Sequence, residues 1–522
     1  MTLTEWFIFF LILQVIHFAG TWKLYAKAGR KAWEALIPVY NAVILMKIIN
    51  RPWWWVILLF IPVINVIMLP IIWVETIRSF GKNSTQDTIL VIVTLGFYIF
   101  YVNYAVAVDY IEDRDLKPKT AAGEWVSSIL FAVIAATLVH TYVMQPYTIP
   151  TGSLERTLLV GDFLFVSKFH YGARTPMTAV SFPMVHDTIP VVKTKSYLAN
   201  PQYPYFRLPG FQDIERNDIV VFSLPNDTLR YFFDQSNISV YKPIDKKSNY
   251  VKRCVGVPGD SLSIRNGYVF IDGKQNELPD RAQLQFSYTG TTNGGNFSKQ
   301  NLYNRYHIKP NEFFYNGQQF SSAGLTDEAA EKFKNHPSVT SLDRNVMKVG
   351  LKDPSIFPNN GKVDWNRDNF GPIYIPEAGK TVKMDLKNFS LYRRIIEVYE
   401  GSEMGIANQL SVEGNQVLLN GQPLKEYTFK QNYYWMMGDN RHNSEDSRYW
   451  GYVPETHIVG KPVFIWLSWD GNAKGIMNKI RWERLFTTVG GSGKPVSYFV
   501  YFLVALAIYI AYMQFRKRRK KA

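Results

Sequence analysis

Two short segments of the sequence carry residue types that could together perform nucleophilic and acid–base chemistry. In residues 149–162 (IPTGSLERTLLVGD), Ser153 follows a glycine, which lets a bound chain approach the backbone closely. In residues 250–260 (YVKRCVGVPGD), Lys252 lies between apolar residues in a pattern typical of a strand. A desolvated lysine loses its proton readily and can act as a base near neutral pH. Each residue also has an ordinary interpretation, because a serine after glycine is usually a turn residue and a strand lysine usually extends along the surface.

A third segment, residues 438–451 (GDNRHNSEDSRYWG), contains more Asp, Asn, Arg and Ser than a solvated loop needs. Buried polar groups in that number predict a mutually hydrogen-bonded network. A calcium-binding loop is the alternative, but the carboxylate spacing does not match an EF-hand. The eight histidines show no HExxH spacing, and the single cysteine, Cys254, excludes an intramolecular disulfide and a CxxC motif. We therefore expect neither a metal site nor a cofactor, and we interpret Cys254 as a small buried apolar residue.

The segments are flanked by apolar stretches that could anchor them at a membrane. A helix needs about 20 mostly apolar residues to cross the hydrocarbon core. Five stretches meet or nearly meet this length: residues 4–19, 53–73, 88–108, 126–143 and 496–512. The second contains Pro62 and Pro70, so residues 53–74 form either one kinked span or a re-entrant pair. Residues 33–49 are only partly apolar and are interpreted as interfacial, and the first stretch lacks the basic flank of a cleavable signal peptide.

The basic residues beside these stretches predict how the chain is oriented. The formal net charge is +15, and basic residues are concentrated in the loop 22–51 and in the tail 516–521. Basic residues beside membrane spans face the cytoplasm, so this charge does not indicate nucleic-acid binding. Five crossings with an external N-terminus place both clusters inside. Residues 144–494 then lie outside.

That long polar region is predicted to be mainly β. Residues 262–264 and 268–271 flank Asn266 and Gly267, a strong hairpin signal, and residues 410–412 and 416–419 form a similar pair. The stretch 288–408 is aromatic-rich, contains one helical patch at 326–334, and is interpreted as an inserted second domain. The sequence GGSGKP at 490–495 is a linker, because it lacks the leading glycine and the final Ser or Thr of a P-loop.

Together the three segments resemble the characteristic boxes of bacterial type I signal peptidases. That family carries a serine in IPSGSM-x-PTL-x-GD, a GDIVVF strand, a lysine in Y-x-KR-x-VG-x-PGD, and a GDNR-x-NS-x-DSR-x-WG box. This chain has IPTGSLERTLLVGD, NDIVVFSLP, YVKRCVGVPGD and GDNRHNSEDSRYWG in the same order, after an apolar stretch. It departs from the pattern at Leu154 (usually Met), Arg156 (usually Pro) and His442 (often Asp), and the first departure affects a residue expected to line the substrate pocket.

The resemblance implies a role for each matching residue. Ser153 is the expected nucleophile, Lys252 the general base, Thr151 an oxyanion donor and Ser444 the residue that orients the lysine amine. The residues in pocket positions are Ile149, Leu154, Leu158, Tyr250 and Val251. The residues expected to form the supporting network are Asp439, Arg441, Asp446 and Arg448.

The implied protein is a membrane-bound serine endopeptidase that removes signal peptides from exported pre-proteins at small-x-small sites. Its fold class is a multi-span α-helical membrane region plus a mainly-β signal-peptidase-like catalytic domain with an inserted second domain. The expected layout is a membrane region of about three spans (1–122), a span into the catalytic domain (123–144), two catalytic parts (145–285 and 411–490) around the insert (286–410), a C-terminal span (495–514) and a basic cytoplasmic tail (515–522).

The same resemblance implies where the protein works and what it contacts. We expect the inner membrane, with the catalytic domain on its outer, periplasmic face. The expected partners are exported pre-proteins, membrane lipids and the secretion machinery, and no nucleic acid. Neither a metal nor a cofactor is implied.

Other functions fit parts of the pattern. A self-cleaving repressor also uses a Ser–Lys pair, but it lacks the membrane spans and the GDNR box. Two S-x-x-K matches, Ser79 to Lys82 and Ser239 to Lys242, resemble a penicillin-binding enzyme without its helical context or partner motifs. A membrane scaffold or transporter carrying an inactive peptidase domain is a further alternative, against which the complete set of Ser153, Lys252, Thr151 and Ser444 argues.

Overall fold

The computed structural model describes residues 1–118, 120–230, 238–309, 311–473 and 475–519. The chain divides into two compact units. The N-terminal unit comprises Met1–Val143, Arg174–Leu208 and Thr228–Lys247. The β unit comprises Met144–Ala173, Pro209–Asp227 and Ser248–Ala522.

The N-terminal unit is helical in its first 143 residues. Helix α1 begins at a capping box in which Thr2 and Glu5 bond each other's backbone amides. Residues 33–49 contribute α2, and Ile44 and Met46 are fully buried in the apolar core of this unit. The interfacial position of this stretch stays a prediction. The helices are α1 Leu3–Lys27, α2 Tyr40–Ile48, α3 Trp55–Leu58, α4 Ile64–Arg78, α5 Thr85–Val93, α6 Tyr98–Tyr104 and α7 Ala121–Leu138.

Three helical segments are long and apolar enough to cross a membrane: Leu3–Lys27, Ala121–Val143 and Phe499–Arg519. A fourth arises if α5 and α6, which meet at a 118° bend, count as one broken span or re-entrant loop. The structure therefore gives three or four such segments among its described residues, against the five predicted from apolar length. The backbone explains the difference, because Pro62 and the positive φ of Val63 separate α3 from α4, and Gly96 has a positive φ between α5 and α6.

The β unit confirms the predicted mainly-β class. Its described residues form the α-helices α8 Lys299–Tyr306, α9 Asp327–Lys334, α10 Leu386–Arg394, α11 Ser447–Trp450, α12 Ile476–Lys479 and α13 Phe499–Arg519. Its strands are β1 Met144–Thr148, β2 Asp162–Ser167, β3 Ile219–Ser223, β4 Asn249–Gly256, β5 Ser261–Arg265, β6 Tyr268–Ile271, β7 Lys274–Gln275, β8 Phe286–Thr292, β9 Phe313–Tyr315, β10 Gln319–Leu325, β11 Val339–Arg344, β12 Phe370–Tyr374, β13 Thr381–Lys383, β14 Leu410–Glu413, β15 Gln416–Leu419, β16 Gln422–Pro423, β17 Glu426–Thr428, β18 Tyr433–Met437, β19 Val453–Pro454, β20 Ile458–Ser468 and β21 Thr487–Thr488.

The largest sheet carries the segments that the sequence singled out. Its order is β1-β2-β20-β3-β4-β18-β19, with β21 on β20, and it curls into a half-barrel. Neighbouring strands are antiparallel. Every residue of β3 is buried, which suits the continuous apolar run that the sequence has there.

The predicted local elements are present. Strands β5 and β6 form the expected hairpin, and both Asn266 and Gly267 have the positive φ that such a two-residue turn needs. Strands β14 and β15 form the second predicted pair. Helix α9 begins after Thr326, whose side chain accepts a hydrogen bond from the Ala329 amide.

The region predicted to be an inserted domain contains a sheet of its own, here called the insert sheet, with the order β11-β8-β10-β9. Helices α8 and α9 pack on it around Phe286, Phe320 and Phe333. Strand β12 then pairs with β5 and α10 joins the main apolar core. The boundaries 286 and 410 of the second domain stay a prediction, as do the other domain limits, and residues 520–522 of the basic tail lie outside the described residues.

Candidate active site

The serine lies on a tight turn fixed by β1 and β2. After β1, the amide of Ile149 donates to the carbonyl of Asp162, and the amide of Gly161 donates to the carbonyl of Ile149. These bonds close the loop that contains Ser153, which lies on a single 3₁₀ turn, Gly152–Leu154. The loop is therefore held at its base by backbone hydrogen bonds.

Lys252 reaches this turn from the centre of the same sheet. It lies on β4, and the residue opposite it on the neighbouring strand β3 is Val220. Its Nζ is 2.7 Å from Ser153 Oγ, and the two residues are 99 positions apart in sequence. Only 4% of Lys252 and 7% of Ser153 are exposed, so the pair is buried.

The surroundings of Lys252 favour its neutral form. Burial lowers the pKa of the amine from 10.5 to about 8, against the opposing attraction of Asp446 and Glu445. At pH 7 about a tenth of such lysines are neutral, against less than about 0.1% of solvated ones. A neutral amine can accept the hydroxyl proton along the same 2.7 Å contact.

The two residues predicted to assist this pair are nearby but make no hydrogen bond to it. Ser444 Oγ is buried and has no hydrogen-bond partner among the described residues. A Cβ placed on Gly438 would collide with Ser444 Oγ and lie 2.6 Å from the carbonyl oxygen of Ser153, so Ser444 is close to the turn. Thr151 is exposed, with an extended backbone one residue before the turn. The predicted roles of Thr151 and Ser444 stay predictions.

Four of the five predicted pocket residues share one apolar cluster. Ile149, Leu154 and Leu158 are buried there, and Val251 packs against them. Tyr250 packs in a neighbouring cluster, with its ring edge-on to Trp450 at 5.8 Å. The centroid of the same ring lies 5.4 Å from Nζ of Lys252, so Tyr250 also borders the candidate site. The pocket role of these five residues stays a prediction.

Each of the four predicted network residues has at most 1% of its surface exposed. Asp439 accepts two hydrogen bonds from the guanidinium of Arg253, at 2.7 and 2.8 Å, and Asp446 accepts two from the guanidinium of Arg448, both 2.8 Å. Burial by itself raises the pKa of each carboxyl, but the adjacent guanidinium outweighs it and holds the pKa below its ordinary value. Arg441 takes part mainly through its carbonyl, which accepts a bond from Arg448 at 2.6 Å.

Sequence reasoning missed three residues that hold the turn. Arg253 is the ion-pair partner of Asp439, and Thr157 donates to the same carboxylate at 2.6 Å. Asn440 bonds the turn twice, from its amide to the carbonyl of Ser153 at 3.1 Å and from Nδ2 to the carbonyl of Gly152 at 3.2 Å. All three belong to the boxes quoted from the sequence, so their position there was the available signal.

His442, one of the departures from the family pattern, contacts neither Ser153 nor Lys252. Its Nδ1 accepts a hydrogen bond from the amide of Ser287 at 2.9 Å, and its Nε2 is 2.7 Å from a carboxylate oxygen of Asp368. Burial lowers the pKa of the imidazole below its ordinary value, and the nearby carboxylate of Asp368, which favours the protonated ring, only partly offsets this. With both nitrogens occupied, His442 is not placed to act as a base.

Family models match two parts of the chain. The model described as "Signal peptidase, peptidase S26" matches residues 122–323 and 378–469, more than half of the chain. A model described as a family of unknown function (DUF5684) matches residues 33–113.

Several curated proteins are similar over most of their length. "Signal peptidase I" of Buchnera aphidicola subsp. Acyrthosiphon pisum is 26% identical over 369 residues, covering 71% of this chain and 82% of that protein. "Signal peptidase I" of Haemophilus influenzae is 26% identical over 388 residues, covering 72% and 79%. "Signal peptidase I" of Helicobacter pylori is 24% identical over 382 residues, covering 71% and 93%.

Proposed function

The chain belongs to the peptidase S26 family of signal peptidases, and we propose that it removes signal peptides with Ser153 as nucleophile and Lys252 as general base. The relatives support a membrane-bound serine endopeptidase whose substrates are pre-proteins with signal peptides. The observation that carries the proposed dyad is the 2.7 Å contact between a buried lysine amine and a serine hydroxyl.

The residues support a two-step acyl transfer. Neutral Lys252 takes the proton of Ser153 as Oγ attacks the scissile carbonyl, and the resulting ammonium gives that proton to the leaving amine. The neutral lysine then takes a proton from water, whose oxygen attacks the acyl ester, and returns the proton to Ser153 Oγ. The amide of Ser153 and the hydroxyl of Thr151 are the proposed donors to the oxyanion in both steps.

The proposed specificity is for small residues at the first and third positions before the scissile bond. The aliphatic cluster around Leu154 and Leu158 supports this, because apolar side chains that are almost completely buried favour contact with short apolar side chains of a substrate.

The test of this function is cleavage of a purified pre-protein by the full-length protein in detergent, with the cut mapped by mass spectrometry. Replacing the small residue before the cut by Phe is expected to lower kcat/KM by about 200-fold or more. One extra methylene in a fitted pocket already lowers kcat/KM by about 10- to 200-fold, and Phe is much larger than that. A pre-protein with Ser in place of Ala at that position is the matched control and should still be cut. Equal cleavage of the Phe substrate would contradict the proposed specificity.

Thr151→Val is expected to lower kcat by about 10²- to 10³-fold with little change in KM, because an oxyanion donor acts mainly in the transition state. Thr151→Ser keeps the hydroxyl and should retain most of the activity. Steady-state kinetics of the three proteins make the comparison. A wild-type kcat in Thr151→Val would remove this residue from the mechanism.

The protein is a membrane protein, and we place it in the inner membrane with the β unit on the outer face. We take α5 and α6 as a re-entrant loop, which leaves three crossings at Leu3–Lys27, Ala121–Val143 and Phe499–Arg519. Three crossings give the β unit the same side as the five predicted from apolar length, because the two additional predicted spans both lie before residue 121 and cancel each other. In either case the basic loop 22–51 and the basic tail lie inside. The exposed apolar side chains of these helices support contact with lipid, and the substrates support contact with the secretion machinery.

A reporter fused after Lys521 is therefore expected to be cytoplasmic, and one inserted near Asn359 external. Activity of paired reporters that work on only one side of the membrane measures this. Protection of the Asn359 insertion from protease added to intact spheroplasts would contradict the orientation, as would an external C-terminal reporter.

A further inference from the structure

The insert sheet borders a cavity of about 860 Å³ to which the proposed mechanism assigns no role. Its lining is rich in aromatic residues, and one of them, Phe314, has 65% of its surface exposed although it borders a concave site. The lining includes Phe297, Lys309, Phe313 and Phe314. Exposed aromatic side chains around a concavity indicate a binding surface.

One residue of the cavity wall contacts the turn that carries Ser153. Lys309, in the cavity wall, has its Nζ 2.6 Å from a carboxylate oxygen of Glu155, two residues after Ser153. The same Nζ lies 3.5 Å from the position that a Cβ on Gly152 would occupy. Lys309 therefore connects the wall of the cavity to the turn that carries Ser153.

The insert sheet is also tied to this turn through the backbone. Gln285, directly before β8, donates its amide to the carbonyl of Asp439 at 2.9 Å and accepts from the amide of Arg441 at 2.9 Å. The residue between these two, Asn440, donates its amide to the carbonyl of Ser153. This chain of hydrogen bonds fixes the cavity relative to the reacting serine.

The cavity wall includes an outer strand of the insert sheet. Among the described residues, β9 pairs with β10 and with no other strand, and it contributes Phe313 and Phe314 to the wall. Such an edge offers backbone groups to an extended polypeptide, and pockets beside it accept alternate side chains.

The two residues that follow Ser153 direct their side chains to different places. Leu154 packs in the aliphatic cluster proposed to accept residues before the scissile bond, whereas Glu155 pairs with Lys309 at the cavity. We propose that this cavity binds the extended segment of the pre-protein that follows the scissile bond, with apolar or aromatic side chains of that segment against Phe297 and Phe314. This inference rests on the proposed function.

The test compares two peptide substrates that share one signal peptide and one cleavage site. An extended segment advances about 3.3 Å per residue, so two residues after the bond span about 7 Å and ten span about 33 Å. Phe314→Ala in the full-length protein is expected to lower kcat/KM for the long substrate by about 5- to 30-fold and to leave the short one unchanged. Phe211→Ala, which removes an 84% exposed phenylalanine outside the cavity wall, is the matched control and should change neither.

A second measurement locates the segment directly. A long substrate carrying a benzophenone side chain five residues after the scissile bond is irradiated with the Ser153→Ala protein, which should bind it without cleavage. Adducts are expected at Phe297, in α8 or in β9. Adducts confined to the helices of the N-terminal unit or to a second copy of the protein would overturn the proposal.

The outcomes separate this inference from the proposed function. If both substrates are cut at the same bond in a Ser153-dependent way, and Phe314→Ala affects them equally or not at all, only the cavity proposal is overturned. If the wild-type protein cuts neither substrate, the proposed function fails instead.

Discussion

Ser153→Ala is expected to abolish cleavage of pre-proteins, with kcat falling by about 10⁴- to 10⁶-fold. The hydroxyl is the only group of Ser153 that can form the acyl ester, and it lies 2.7 Å from the amine that would take its proton. Water does not replace it, because the serine is buried on a turn held by Asn440 and by the loop base at Ile149. The measurement is single-turnover cleavage of a purified pre-protein in detergent.

Two controls separate lost chemistry from lost structure. The melting temperature of Ser153→Ala should equal that of the wild type within about 2 °C, because the substitution removes one small polar atom. A serine-directed acylating inhibitor should label the wild-type protein at Ser153 and leave Ser153→Ala unlabelled. Near wild-type turnover by Ser153→Ala would make the nucleophile assignment wrong.

Lys252→Met is expected to abolish cleavage of pre-proteins and, at the same time, to make the protein more stable against unfolding. The lysine holds its proton up to about pH 10.5 in the unfolded chain but only to about pH 8 in the folded one. Its burial therefore destabilises the fold by about 3 kcal/mol below pH 8, and this cost disappears as the pH rises through the interval between the two values. Methionine fills similar space without a charge, so the melting temperature at pH 7 should rise by several degrees.

The pH dependence of the wild type gives an independent test. If neutral Lys252 is the base, kcat/KM should rise with pH through an ionisation near 8 and fall about tenfold per pH unit below it. A histidine base would give a similar curve, and His442 is the histidine within the third box. His442→Gln is the suitable control, because glutamine can still donate to Asp368, whereas an aspartate at this position would place a second carboxylate beside Asp368. His442→Gln should keep activity within a few-fold and leave the ionisation in place. An inactive His442→Gln beside an active Lys252→Met would contradict the Ser–Lys mechanism.

The local elements were predictable because their causes are local. The turn at Asn266 and Gly267 needs two residues that tolerate positive φ, and α9 begins at a threonine whose side chain caps it. Both causes lie within a few residues of the element, so the sequence reveals them. The breaks within apolar stretches were harder to predict. The length of an apolar stretch does not reveal a backbone turn inside it, such as the one at Val63 that separates α3 from α4.

By itself the sequence determined the class of the fold, its family resemblance and the identity of Ser153 and Lys252 as candidates, since these depend on residue type and order. Only the tertiary structure decided which groups meet. It put Lys252 within hydrogen-bonding distance of Ser153, paired Arg253 with Asp439, and left Ser444 without a described partner. It also joined Lys309 of the insert sheet region to Glu155, two residues after Ser153. The residues of these pairs are far apart in the chain. Strand register decides which of them lie opposite each other, and burial makes an unpaired charge costly, so charged groups that are buried pair with one another. A local sequence pattern encodes neither the register nor the burial.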